Sequence, residues 1–481
     1  MEGKASVSSE VGDILELEIE KLVFRGAGLA RWMGKVVFVE DSAPQDLILA
    51  RVTQVKNQYL LAETQEVLSP SAQRTPPFCP HFRACGGCQW QHVSLTAQRE
   101  WKEKILAELL ASPERAARLP IMAPHPVCPP GGYRTRAQIK VAREGNRARL
   151  GFFRLHSQEL VEIDDCPLLH PDLRGIYRAL RDLLYPTLAQ LYPALREIWM
   201  HRGSLKGETL LTLITPRGSR AALRLLYHRV QEICPGISGI ALSRGRDNAI
   251  YDLVGKPWVE MTLEGLALKV GPVCFYQVGE EGAQSIFRCI KSWISTNDGQ
   301  RILDLYCGVG TFALPLACQK GVGMVVGVEG EREAAILAKE NARRNGMSNV
   351  KILHGTAEDL IGALAKEKYD VTILDPPRSG ITRKAMDGLL RLGSPRIVYV
   401  SCDPSTLARD LDRLRKGGYR CIQIQPLDLF PHTYHVEVVA LLEADHIGGR
   451  AQEDQTGGGN GDSIPFPEGI SPDGRPEELL C

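Results

Sequence analysis

The sequence predicts an α/β protein whose Rossmann-like sheet lies toward the C-terminus, behind a small N-terminal β-barrel and a central α+β region. Three observations predict it. First, the run RILDLYCGVGT, Arg301 to Thr311, breaks at Asp304 into a turn holding Gly308 and Gly310, with a helical pattern beginning near Phe312. Strand, glycine-rich turn and helix N-terminus in that succession let backbone amides approach a ligand closely. Second, another buried strand, Met324 to Val328, closes on Glu329, 19 residues past Gly310. Third, apolar and polar residues alternate with period two over short runs near the N-terminus, separated by glycines.

The chain has 481 residues, 44% of them hydrophobic, enough to bury sizeable cores in about three domains. It contains no uncharged apolar run of about 18 residues, and its first residues, MEGKASVSSEVGD, lack the plan of a signal peptide. The expectation is a cytoplasmic protein without a membrane partner. Thirteen cysteines in such a chain point to metal-binding or catalytic thiols in a reduced compartment rather than to a disulfide framework. The formal charge of +1 conceals an asymmetry: His446 to Cys481 carries two basic and seven acidic residues, whereas Gly131 to Arg154 carries seven Arg or Lys against Glu144 alone.

In chain order, Gly12 to Glu63 alternates in ILELEIEKL, GKVVFVE and LILARVTQV around Gly26, Gly28 and Gly34, the pattern of a small barrel of the kind that binds oligonucleotides. A polar linker, Leu68 to Pro77, leads into CPHFRACGGCQWQH, where Cys79, Cys85 and Cys88 are spaced C-x5-C-x2-C. Three thiolates require a fourth ligand; Cys166 in IDDCPLLHP, which precedes a proline in a local turn, is the best candidate, and Cys128 in VCPP is the competitor. Four cysteines can hold zinc or an iron–sulfur cluster, and the departure from paired C-x2-C spacing favours iron. Tyr133 to Phe153 alternates basic and apolar residues, which on a strand pair puts Arg134, Arg136, Lys140, Arg143, Arg147 and Arg149 largely on exposed positions, a footprint for RNA phosphates. Leu173 to Val270 alternates helical and strand patterns without a recognisable site.

Past Gly271 the chemistry concentrates. Asp304 and Glu329 at adjacent strand tips describe a nucleoside crevice, with a carboxylate placed for ribose hydroxyls but without a pyrophosphate grip, which suits S-adenosylmethionine better than NAD. Phe275 and Gln277 precede a helix, and the next strand ends in Asp375-Pro376-Pro377-Arg378. An arginine where amino-methylating enzymes carry a base-stacking aromatic argues against methylation of an exocyclic amine. The following strand ends in Ser401-Cys402-Asp403-Pro404, and the last carries His432, His435 and Glu437. A cysteine therefore also sits at this sheet edge.

The N-terminal stretch resembles a TRAM domain, and CPHFRACGGCQWQH, FYQV, DLYCGVGTFALPLA, DPPRSG, YVSCDPSTLARDL and FPHTYHVEVVALL resemble the RNA uracil-5-methyltransferase family over roughly residues 10 to 443. The branch acting on 23S ribosomal RNA, with a TRAM domain and a 4Fe-4S cluster, is the one it looks like. That resemblance implies S-adenosylmethionine as methyl donor, Cys402 as nucleophile and Glu437 as base. It also implies cofactor contacts from Gln277, Tyr306, Thr311, Glu329, Thr356 and Asp375, and cluster ligands Cys79, Cys85, Cys88 and Cys166. Thr311 departs from the family's familiar asparagine. The implied organisation is a barrel over 8–66, a central RNA-binding cluster domain over 67–274, a catalytic domain over 275–445 and a disordered acidic tail over 446–481, acting as a monomer on RNA. The alternatives are a transfer RNA uridine methyltransferase, a cytosine-5-methyltransferase, and a non-catalytic RNA-binding factor; Ser401 before Cys402, where cytosine enzymes commonly carry proline, speaks against the second.

Overall fold

The computed structural model describes residues 10–111, 119–144, 147–184, 188, 190–245, 249–294 and 299–445; the acidic tail expected to be disordered lies outside the described residues. The chain divides into two compact units, one ending at Pro76 and one spanning Pro77–Ala444.

In the N-terminal unit, six strands follow the order Ile14–Glu18, Leu47–Val55, Tyr59–Ser69, Lys35–Glu40, Gly28–Trp32, Lys21–Leu22. Period-two alternation does its expected work: Leu15 and Leu17 are buried while Glu16 and Glu18 face water. Leu15, Ala30, Val37, Ile48 and Leu60, from five different strands, share one core, which requires the sheet to roll on itself. A Cβ at Gly28 would meet Ser42 Oγ at 2.1 Å, so the strands approach there only because the residue is glycine. Buried Asp46 pairs with Arg74 at 2.8 Å and accepts the amides of Ala43 and Ser71 at 2.6 and 2.9 Å, satisfying a carboxylate that would otherwise destabilise the core.

The second unit begins with the cysteine segment and helix Leu95–Leu110. Its central sheet runs Leu160–Glu162, Arg147–Phe153, Arg136–Glu144, Glu197–Arg202, Thr209–Ile214, Ile237–Ser243, Ile250–Gly255. Only Thr209–Ile214 and Ile237–Ser243 pair in parallel, and helix Arg220–Ile233 supplies their crossover. The basic segment forms the expected hairpin, but its cations do not form an outward row. Arg143 is exposed, whereas Lys140 pairs with Glu197 at 2.9 Å, Arg149 with Glu162 at 3.3 Å, and Arg134 turns inward to donate to the Gly87 carbonyl at 3.3 Å. Alternation assigns residues to two faces; it does not reveal which neighbours cover each face.

The catalytic sheet is built from β1 (Gln300–Leu305), β2 (Val322–Glu329), β3 (Val350–His354), β4 (Val371–Leu374), β5 (Arg396–Ser401), β6 (Tyr419–Asp428) and β7 (Glu437–Ala444). Their order is β3-β2-β1-β4-β5-β7-β6, with His125–Pro126 added at the outer edge of β6. β7 runs antiparallel to both its neighbours, and β1 to β5 pair in parallel. Helices cover the sheet, so its central strands are buried on both faces: all four residues of β4 are buried. Strand order reverses between β1 and β4, and ligands of such sheets bind at the carboxyl ends beside that reversal.

Candidate active site

Tyr306, Gly308 and Gly310 all have left-handed backbones, with φ of +68°, +56° and +89°, which turns the chain sharply at the tip of β1. Glycine carries this without steric cost; Tyr306 bears roughly 1–2 kcal/mol of strain, the kind of local cost that accumulates at functional sites. The turn brings the Gly308 amide to 2.8 Å from Glu329 Oε2, and the Glu331 amide donates to Oε1 at 2.6 Å. Each oxygen keeps a lone pair for a further donor. Thr311, nearly buried, donates its amide to the Cys307 carbonyl at 3.3 Å.

Four carboxyl groups face this crevice. Asp304 is fully buried, and neither of its oxygens has a hydrogen-bond partner; the Ala313 amide faces it without reaching hydrogen-bond geometry. Burial first, and then the neighbouring Asp375, push its carboxyl well above the usual range. Burial pushes Asp375 up to about 7 against the opposing Gln277 hydrogen bond, whose Nε2 donates at 3.2 Å. Glu329 is raised by burial, and Glu437 is raised well above its ordinary value by burial and then by Asp375, with Arg378 opposing. So many buried acids destabilise one another unless protonated or met by a cation. A sulfonium bearing an α-amino group supplies that positive charge, so the donor set fits S-adenosylmethionine.

The β5–β7 ladder ends with Ser401 opposite Val438, which leaves Cys402 one residue past the end of β5 and Glu437 as the first residue of β7. Cys402 is partly exposed and stands immediately before Asp403, which caps helix Pro404–Lys416 by accepting the Ser405 and Thr406 amides at 2.9 and 3.1 Å. Cys307, in contrast, is buried, and its thiol is pushed well above the ordinary value by burial and then by Asp304; it packs under the turn. His435 is pushed well below the ordinary imidazole range by burial and then by Arg378. Thr356 lies past β3, where its hydroxyl caps helix Ala357–Leu364 and donates to Asp359 at 2.8 Å.

Cys79, Cys85, Cys88 and Cys166 line one cavity of ≈ 30 Å³ together with Arg134 and Asp165. Cys128 is elsewhere, with its amide at 3.5 Å from the Asp428 carbonyl. Among the described residues, no three His, Cys, Asp or Glu side chains form a group able to hold one metal ion.

Sequence reasoning missed Asp410. It is fully buried, accepts from the Ile381 amide at 2.9 Å and the Tyr399 hydroxyl at 2.8 Å, and pairs with Arg409 at 2.9 Å. Arg409 also donates to the Ser379 carbonyl at 2.8 Å, and Thr406 to that of Arg378 at 3.0 Å. The Asp375-Pro-Pro-Arg378 loop is thereby fastened to the helix that follows Cys402. A lone acid on the apolar stripe Leu407, Leu411, Leu414 was the available signal.

The comparisons agree with this geometry. The tRNA (Uracil-5-)-methyltransferase family model matches residues 127–445, and the TRAM domain model matches residues 8–64. The chain belongs to the RNA uracil-5-methyltransferase family. Among similar members of that family, the 23S rRNA (uracil(1939)-C(5))-methyltransferase of Aeromonas hydrophila is 37% identical over 89% of this chain and 96% of its own. An uncharacterized RNA methyltransferase of Thermosynechococcus vestitus is 36% identical over 90% of this chain and 98% of its own. The solved tRNA (uracil-54, C5)-methyltransferase of Pyrococcus abyssi, in complex with S-adenosyl-L-homocysteine, superposes with a TM-score of 0.70 at 25% identity, covering 89% of this chain and 99% of that one. The protein is therefore an S-adenosylmethionine-dependent RNA uracil-5-methyltransferase with an N-terminal TRAM domain.

Proposed function

We propose that this enzyme methylates carbon-5 of a uridine in 23S ribosomal RNA through a covalent adduct to Cys402. The observation that supports the reading is the end of the β5–β7 ladder, Ser401 opposite Val438, with Cys402 the next residue past β5 and the buried Glu437 opening β7. S-adenosylmethionine, when bound, supplies an electrophilic methyl group; Asp304, Glu329, Asp375 and Gln277 would hold it, with Tyr306, Thr311 and Thr356 at the rim.

Carbon-5 of uracil is a weak nucleophile. The Cys402 thiolate adds to carbon-6, and the electron pair of the 5,6 double bond moves toward the O4 carbonyl, making carbon-5 nucleophilic. After carbon-5 is methylated, Glu437 removes its proton; the double bond re-forms and the Cys402 sulfur leaves as thiolate. Burial of Glu437 raises its proton affinity, which suits removal of a carbon-bound proton.

Ribosomal RNA is favoured over transfer RNA because the similarity to the ribosomal enzyme is higher than to the transfer RNA enzyme, 37% against 25%. Cys79, Cys85, Cys88 and Cys166 would hold a 4Fe-4S cluster in the central part of the chain, 67–274, ahead of a catalytic part, 275–445. The donor set fits in kind: the four thiols line one cavity together with Arg134 and Asp165, and four cysteine thiolates are the ligands such a cluster takes. Anaerobically purified protein is expected to be brown and to contain iron and sulfide, both lost in Cys88→Ser; colourless protein with stoichiometric zinc would overturn the assignment. The substrate is tested by mass spectrometry of ribosomal and transfer RNA from cells with and without the gene. Loss of one 5-methyluridine from 23S RNA is expected, and a loss confined to transfer RNA would refute it.

A further inference from the structure

We infer that Gln98 is a positioning residue for proton abstraction: with the backbone of Gln89 and Trp90 it latches the peptide of His432 and so sets where Glu437 stands. The inference rests on the reading of Glu437 as the base.

Glu437 opens β7, and the chain reaches it from Asp428 through a loop with no regular structure of its own. At the centre of that loop His432 adopts a left-handed backbone, φ +70°, which a non-glycine residue keeps only when its surroundings hold it there. The contacts to the amide and the carbonyl of His432 come from one segment. The His432 amide donates to Gln98 Oε1 at 2.7 Å, and its carbonyl accepts the Gln89 and Trp90 amides at 3.0 and 2.9 Å. Gln98 itself is fully buried, and its Nε2 donates to the Trp90 and Val93 carbonyls at 2.9 and 2.8 Å. The imidazole adds Nε2 at 2.8 Å from the Pro130 carbonyl and Nδ1 at 3.4 Å from Gln98 Nε2.

The helix bearing Gln98 is fixed to the start of the same loop. Buried Lys102, one turn on, donates to Asp428 Oδ1 at 2.6 Å and to the Phe430 carbonyl at 3.0 Å. Gln98 and Lys102 thus clamp the loop at two points on its way to Glu437, where the ladder of β7 with β6 and β5 begins. Gln89 adjoins Cys88, and its side chain donates to the Gly86 carbonyl at 2.7 Å. The segment that holds His432 is therefore continuous with the one that carries three of the four cavity cysteines. A buried glutamine using both its carbonyl and its amide on backbone groups is a precise spacer; an apolar residue of equal length removes the side-chain partner of the His432 amide and the Val93 carbonyl and leaves the Trp90 carbonyl with the Val93 amide alone.

The test uses the full-length enzyme, RNA substrate and S-adenosylmethionine. In Gln98→Met, kcat is expected to fall at least tenfold with KM for RNA unchanged, and a methylated protein–RNA adduct should accumulate on denaturing gels, because addition at Cys402 survives while elimination slows. His432→Asn, which tolerates the left-handed backbone and keeps the latched peptide, is expected to turn over within threefold of the native rate. Gln98→Asn, which withdraws the amide by one methylene, serves in place of Gln98→Met if the latter does not fold. Native turnover in the Gln98 variants, or a parallel fall in turnover, adduct yield and RNA affinity, would overturn the inference. Glu437→Gln is the control: adduct there but not in the Gln98 variants refutes the latch alone, and no adduct in either refutes the reading of Glu437 on which it stands.

Discussion

At the scale of single residues, the catalytic division of labour predicts opposite outcomes for two variants. Cys402→Ala should abolish both methyl transfer and the covalent adduct. Glu437→Gln should slow turnover by about 10²–10⁴, the usual contribution of a general base, while a methylated adduct persists through denaturing electrophoresis. Because burial and Asp375 raise the Glu437 carboxyl, it becomes a base only as pH rises through that elevated value, so kcat should increase with pH along a limb that Glu437→Gln lacks. Asp375 makes a separate claim on stability. Its carboxyl lies at about 7 in the fold against 3.8 ordinarily, so between those values the folded state binds more protons than the unfolded one. The neutral form's stabilisation is full below about pH 4 and is lost as pH rises to about 7, up to about 4 kcal/mol. Denaturant unfolding of the ligand-free protein at pH 5 and pH 8 should show that loss, and Asp375→Asn should flatten it.

At the scale of elements, the loop after β4 and the helix after Cys402 act as one body because Asp410 joins them. Asp410→Ala leaves the Ile381 amide and the buried Tyr399 hydroxyl without their acceptor, and each buried polar group left unpaired in this way costs about 1–3 kcal/mol. Gly380→Ala attacks the same joint from the other side. Gly380 has φ of +72°, and a Cβ there would lie 2.4 Å from Asp410 Oδ2; strain of this kind costs about 1–3 kcal/mol. Chemical denaturation measures both, and methyl transfer should fall with them because Asp375, Arg378 and Cys402 lose their common support. The hairpin Val259–Leu263 and Leu266–Val270 is tied to the cofactor turn by another buried side chain: Asn341 Nδ2 donates to the Lys269 and Val309 carbonyls at 3.1 and 3.0 Å.

At the scale of the whole molecule, the proposed catalytic groups and the cysteine cavity all lie within Pro77–Ala444. A chain beginning at Pro77 should therefore fold and bind S-adenosylmethionine with native affinity, measured calorimetrically, while its RNA affinity falls. RNA binding by the full chain should weaken steeply with salt, as counterion release requires. Arg143→Ala should lower the slope of log Kd against log salt by about 1, whereas Lys140→Ala, whose ammonium pairs with Glu197, should change it less.

The sequence by itself determined the cofactor turn and the barrel pattern. Gly308, Gly310, Asp304 and Glu329 act locally, where backbone sterics and strand ends leave few alternatives, and period-two alternation in ILELE states which residues are buried. It also placed Cys402 and Glu437 at strand ends through motifs that stand intact in the chain. Only the tertiary structure decided that the strands ending beside Cys402 and opening on Glu437 are neighbours, and that Arg134 faces the cavity of Cys79, Cys85, Cys88 and Cys166 instead of solvent. It likewise revealed Gln98 and Asp410, whose partners lie 334 and 29 residues away in the chain. Contacts at such separations depend on which surfaces fold together, and neither residue type nor local spacing carries that information.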